Sequence, residues 1–230
     1  MKKRLQLAKA FVEGASYNIY RNLRYYNGRG KNLQKYMDII DDLRKQIWKA
    51  NSIQELMGYE GNIRKTYYSA WPIIIDQDIE FEKRVKNPPD NMINTLISFV
   101  NTLIYTKVLG EIYQTQLNPT VSYLHEPGDR RFSLSLDIAE IFKPILGDRL
   151  IFAVLNRNQI TSKSFTKGLN YLHLTKDASK TVVAELDAKM QTTIKHKDLN
   201  KKVSYQYLKN FRMIKISMSV LYMLHVFLSA

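Results

Sequence analysis

The sequence predicts an all-α protein, and three observations predict it. Glycine and proline are sparse, with 9 and 6 among 230 residues, which suits long helices joined by few tight turns. Apolar residues recur at spacings of three and four through most of the chain. No segment shows the strict alternation of a half-buried strand.

Helix one is expected from about Leu5 to Tyr26, where Asn27-Gly28-Arg29-Gly30 breaks it. A second runs from about Leu33 to Lys49. Ser52 and Glu55 then have the spacing of a capping box, opening a third helix through Leu56, Ile63 and Tyr67. Pro72 interrupts it near Trp71, since proline lacks the N–H that a helix interior needs.

Pro88-Pro89-Asp90 is a stop followed by a cap. From there Ile93, Leu96, Ile97, Val100, Leu103, Ile104 and Val108 mark a long amphipathic helix to about Leu117. Its other face carries Asn94, Ser98, Asn101 and Tyr105, a polar but uncharged stripe that faces either water or a wet cavity. Asn118-Pro119 breaks the chain, and Glu126-Pro127-Gly128-Asp129 is a turn sequence. A further helix places Ile138, Ile141, Phe142, Ile145 and Leu146 on one face. Two more are expected, about Lys180–His196 and Ser204 to the end.

The composition narrows function. Lysine plus arginine number 35 against 21 acids, for a net charge of +14, which favours a polyanionic partner. With no cysteine, disulfide scaffolds, thiol nucleophiles and Cys-type zinc sites are excluded, and a reducing cytoplasm is the expected setting. No apolar signal core follows the basic N-terminus. The uncharged run Ile216–Ala230 is shorter than the roughly 20 residues of a membrane span, so no membrane partner is expected. It reads instead as a buried or interface-forming tail.

Among four histidines, His125 sits in a turn just before a helix bearing Asp137 and Glu140. Those acids are three apart and share a helical face. Imidazole with carboxylates suits Mn²⁺, and Mg²⁺ less comfortably; the alternative is a hydrated surface cluster. Glu60 is a candidate third ligand. It lies between Gly58 and Gly61, which cost a helix about 1 kcal/mol each relative to alanine and would let DNA or another segment come close. The alternative there is an exposed acid beside a local weak point. Residues 1–50 carry twelve cations against four acids, interleaved with Tyr17, Tyr20, Tyr25, Tyr26 and Tyr36. Arg84 belongs to a further basic cluster, Lys83-Arg84-Val85-Lys86, while Arg130, Arg131 and Lys143 flank the acids, where they would hold a phosphate.

Three ordered motifs then carry a resemblance over about residues 1–208. They are Leu56-Met57-Gly58-Tyr59-Glu60-Gly61-Asn62 with Tyr67-Tyr68, then Asn87-Pro88-Pro89 with Asn94 to Phe99, and last Tyr123-Leu124-His125, Arg131 to Leu134, Leu136 to Pro144 and Asp148. The chain resembles the CRISPR-associated endonuclease and integrase family "Cas one", the metal-dependent subunit of spacer acquisition. The resemblance implies the family's C-terminal helical catalytic domain, 1–208, without its N-terminal β-rich domain, followed by a divergent apolar tail, 209–230. It implies one Mn²⁺ or Mg²⁺ held by Glu60, His125 and Glu140 as catalytic ligands, with Asp137 as a supporting acid. Arg131 and Lys143 match basic positions of the family's third motif and are the implied DNA contacts, and the basic clusters add Arg84 and Arg130 as expected ones. The implied partners are double-stranded and branched DNA, a second copy of the chain, and a small ferredoxin-like CRISPR adaptation subunit, in the cytoplasm of a bacterium or archaeon. The implied activity is cutting DNA and joining spacer 3′-hydroxyls to the repeat; the alternative is a DNA-binding fragment without turnover.

Overall fold

A computed structural model of the chain describes residues 2–86, 88–125, 132–168, 172–196 and 201–204. Helix α1 (Lys2–Asn27) is the spine of the fold. It buries Leu7, Phe11, Ile19 and Leu23, and the turn that ends it uses Gly30 at φ +85, a backbone region that glycine enters without steric cost. Asn27 closes the turn by accepting from the Leu33 N–H at 3.0 Å. Helices α2 (Gln34–Ile47) and α3 (Ile53–Ser69) fold back against α1.

Ser52 caps α3 as expected, its hydroxyl accepting from the Glu55 N–H at 3.1 Å. The Glu55 carboxylate reaches back one residue further than a standard capping box, to the Asn51 N–H at 2.8 Å. Pro72 lies in the first turn of a separate short helix, α4 (Trp71–Ile74), where its missing N–H costs nothing. Here Trp71 meets Phe152 with ring centroids 4.7 Å apart and Tyr67 at 5.8 Å. This aromatic cluster is the heart of the core.

Helix α5 (Met92–Ile112) is capped by Asn91, which accepts from the Asn94 N–H at 2.9 Å. It is long and apolar enough to cross a membrane, yet Ile93, Leu96, Ile97 and Val100 are fully buried by α6 and its continuation. It ends five residues before the expected Leu117. Thr115 turns its hydroxyl onto the Ile112 carbonyl at 2.7 Å, a local bond that competes with continued helix.

Helix α6 (Ser133–Phe142) runs into a π-helical turn (Lys143–Asp148) and then α7 (Arg149–Asn156). Pro144 cannot donate to the i−4 carbonyl, so the ladder widens there. Two asparagines of α1 stabilise the junction: Asn18 donates to the Ile141 carbonyl at 2.9 Å and Asn22 to that of Pro144 at 2.7 Å. Gly147 lets the turn lie close on α5. A Cβ at that position would stand 2.8 Å from Ile104 and 3.2 Å from Val100.

Two short antiparallel hairpins complete the described chain. Strands β1 (Phe165–Lys167) and β2 (Leu172–Leu174) pair beside α5, where the Thr95 hydroxyl donates to the Leu172 carbonyl at 3.1 Å. Helix α8 (Lys176–Gln191) is capped by Thr175, and β3 (Thr193–His196) pairs with β4 (Lys201–Ser204). The helix expected over Lys180–His196 is thus displaced toward the N-terminus. The β-branched run Thr192-Thr193-Ile194 favours extended backbone, and three- or four-residue strands are too short to show alternation. These hairpins leave the molecule all-α in class. The terminal helix and the apolar run 209–230 fall outside the described residues.

Candidate active site

The π-helical turn matters for the site because it ends the helix that carries two of the expected acids. Asp137 and Glu140 both project from α6, and the structure gives them different neighbours. Asp137 is fully buried and accepts from three consecutive backbone N–H groups, those of Tyr123 at 2.6 Å, Leu124 at 3.0 Å and His125 at 3.2 Å. The same carboxylate holds His125 Nδ1 at 2.7 Å. Asp137 therefore fixes the loop and the ring together. With Nδ1 committed, Nε2 is the nitrogen left to bind a ligand.

A residue the sequence reading passed over braces this loop from outside. Arg4 of α1 donates to the Tyr123 carbonyl at 2.9 Å and to that of His125 at 3.4 Å. Nothing in its local sequence signals the role, because the partners are about 120 residues away.

Glu140 lies on the wall of a cleft of about 530 Å³ between α3, α6 and the segment leading into α5. Glu60 of α3 faces the same space. Arg64, one turn further along α3, forms ion pairs with both carboxylates. Lys143 adds a pair with Glu140 at 2.5 Å. Arg64 was also absent from the expected set, although its i,i+4 spacing from Glu60 was a usable signal. Burial works against its charge, and Glu60, Tyr68 and Asp148 together more than offset that, so its pKa is raised. Burial and then the nearby Arg64 charge pull Lys143 down to about 7. Asp148, at the end of the π-helical turn, is pushed up to about 7 by burial, with Arg64 and Tyr67 opposing.

Arg84 reaches the cleft from the segment before α5. It donates to Asn94 Oδ1 at 3.1 Å and to the Ser98 hydroxyl at 2.8 Å. The polar stripe of α5 thus divides its tasks. Asn94 is buried and pins residues 83–85, Asn101 lines the cleft, and the Tyr105 hydroxyl bonds the Phe132 carbonyl at 3.4 Å. Around the cleft stand six cations, Arg64, Lys65, Lys83, Arg84, Lys86 and Lys143, against Glu60, Glu82 and Glu140. Gly58 and Gly61 present bare helix, with nothing among the described residues within 4 Å of a Cβ at either. The expected Arg130 and Arg131 lie outside the described residues.

The expected ligands therefore come together as two pairs. Glu60 and Glu140 share one cation, which is the behaviour a divalent ion requires of two carboxylates. His125 and Asp137 form a ligand with its orienting acid. Among the described residues no three His, Asp or Glu side chains gather closely enough to hold an ion.

Comparison with known proteins follows the same outline. A family model described as "CRISPR associated protein Cas1" matches residues 1–188. The chain is 66% identical over 214 residues to CRISPR-associated endonuclease Cas1 of Fusobacterium nucleatum, covering 93% of this chain and 63% of that protein. Its similarity extends to the archaeon Haloferax volcanii, whose CRISPR-associated endonuclease Cas1 is 40% identical over 206 residues, 90% of this chain and 62% of the relative. A solved CAS1 protein from Thermotoga maritima has the same fold, with a TM-score of 0.84 and 37% identity over 96% of this chain and 66% of that one. The chain thus spans less than two thirds of the length of these curated relatives.

Proposed function

The chain belongs to the Cas1 family, and on that premise we propose that it cuts DNA phosphodiesters in the cleft between α3 and α6. One observation carries this reading. Glu60 and Glu140, 80 residues apart in sequence, meet across Arg64 on the wall of a strongly basic cleft. In this reading Glu60, Glu140 and the free nitrogen of His125 hold a Mn²⁺ or Mg²⁺ ion. Such an ion would polarise the phosphoryl group and stabilise charge on the leaving oxygen.

The chain's own residues do the rest. Lys65, Lys83 and Arg84 draw the phosphate backbone into the cleft. Asp137 fixes the tautomer and aim of His125, and Arg4 holds the loop that carries it. Lys143, with a pKa of about 7, holds a proton at Nζ near neutral pH that it can give to a leaving oxygen. Gly58 and Gly61 leave room for a DNA backbone beside Glu60. Joining of spacer 3′-hydroxyls to a repeat uses the same attack on phosphorus, with a DNA hydroxyl in place of water. The partners in this reading are duplex and branched DNA, a second copy and the small ferredoxin-like adaptation subunit, in a bacterial or archaeal cytoplasm.

The test is cleavage of a labelled branched DNA with Mn²⁺ by the wild type, Glu60→Ala and His125→Ala, with an EDTA control. Cutting by the wild type alone, with DNA binding retained by both variants, is the expected result. A His125→Ala protein that cuts at the wild-type rate would remove the site assignment. Binding without cutting in every sample favours a second reading, a DNA-binding portion whose chemistry needs more of the protein. The separation of the acids and histidine into two pairs is the observation behind that alternative.

A further inference from the structure

The basic excess of the first 50 residues divides in the structure into a paired part and an unpaired part. Arg44 is held by Glu13 at 2.6 Å and Asp41 at 3.6 Å, Lys45 by Asp41 and Asp42, and Lys31 by Asp76 at 2.6 Å. Arg21, Arg24 and Arg29 have no acidic partner among the described residues. All three belong to the C-terminal half of α1 and the turn that follows.

Their neighbours are tyrosines. Tyr17, Arg21 and Tyr25 recur every four residues, so they stand in one row along the helix, and Arg29 extends that row into the turn. Arg21 lies over the Tyr17 ring at 5.8 Å, a ring it shares with the paired Arg44 at 5.4 Å, and Arg29 lies over the Tyr25 ring at 4.5 Å. Both rings keep about half their surface open, Tyr17 at 47% and Tyr25 at 49%. The row is on the outer side of α1. Asn18 and Asn22, about 100° round the helix from the row, hold α6 and the π-helical turn.

We propose that this row, Tyr17-Arg21-Tyr25-Arg29, is a docking surface for single-stranded nucleic acid, separate from the cleft. Guanidiniums without an acidic partner supply the phosphate contacts, and the exposed halves of the two rings supply stacking area for bases without sequence preference. Eight residues of helix put the two rings roughly 12 Å apart. Stacked duplex bases are covered on both faces by neighbours at 3.4 Å, so the rings can engage only bases that are free of a stack. The resting guanidinium–ring contacts hold both partners in place before a strand arrives, which lowers the ordering cost of binding. This surface requires nothing of the cleft's chemistry.

The experiment is fluorescence anisotropy of the chain with a labelled oligothymidylate of about 15 nucleotides and, separately, with a duplex. The Tyr17→Ala/Tyr25→Ala protein should lose about tenfold or more in single-strand affinity and keep its duplex affinity. Tyr17→Phe/Tyr25→Phe should bind the single strand as the wild type does. Arg21→Gln/Arg29→Gln should reduce the slope of log affinity against log salt by about 1.4. Wild-type single-strand affinity in both the alanine and the glutamine proteins would overturn the proposal. So would unchanged affinity together with altered sedimentation of the alanine protein, which would assign the row to a protein partner. His125→Ala tells this surface from the cleft, since it should lose cutting and keep oligothymidylate binding.

Discussion

The cleft and the outer face of α1 are built from the same residue types in opposite surroundings. In the cleft Arg64 is largely buried between two carboxylates, beside the half-buried ring of Tyr68. On α1, Arg21 and Arg29 rest on half-exposed tyrosines and meet no carboxylate among the described residues. A buried cation is tied to the fold, because its desolvation must be offset by partners in fixed places. A cation in water contributes little to stability and is free to serve a ligand. The difference teaches that the +14 charge is not one property of this protein. Part of it organises a site, and part is available at the surface.

The sharpest way to break this comparison is to remove one arginine from each region. Arg64→Ala leaves Glu60 and Glu140 without their shared partner and should cost about 3–5 kcal/mol in urea unfolding. Arg21→Ala should stay within about 0.5 kcal/mol of the wild type. Equal costs would mean that burial does not separate the two regions.

A second test uses pH. Burial raises Asp148 from 3.8 to about 7, so in this range the folded chain binds a proton that the unfolded chain releases. Its contribution to stability is present below about pH 4 and is lost as pH rises through about 7. Asp148→Asn removes that loss, and its unfolding midpoint should gain on the wild type between pH 5 and 8. A constant offset between the two proteins across that range would show that Asp148 ionises normally and that the end of the π-helical turn is wetter than its burial implies.

The smallest expected effects concern glycines, and here the sign is diagnostic. Gly147→Ala drives a methyl into Ile104 and Val100 and should destabilise by about 1–3 kcal/mol. Gly58→Ala meets open space on an exposed helix face and should stabilise by up to about 1 kcal/mol. Thermal melts of the two proteins separate these outcomes. If Gly58→Ala also destabilises, something in the chain already uses that bare face.

How far the sequence reaches can be judged from particular residues. The helical class, the Ser52 cap and the break at Pro72 were legible, because capping and proline effects act within four residues. The motif around Glu60 and the acids spaced three apart on α6 were legible as part of the pattern that pointed to the Cas1 family. The end of α8 and the short hairpins were not, since three or four extended residues give no periodic signal. Arg4 was invisible as the brace of His125, for its partners are contributed by a loop about 120 residues away.

By itself, then, the sequence determined which segments of the first 160 residues are helical, that the chain carries a net charge of +14, and which family its motifs resemble. Only the tertiary structure decided that Glu60 and Glu140 share Arg64, that Asp137 serves His125 instead of the cleft, and that Lys143 is pulled toward neutrality. It also decided which arginines are spent on carboxylates and which remain on the surface. The physical reason is that helix propensity and capping are local, whereas burial and ion pairing depend on segments that meet only when the chain has packed.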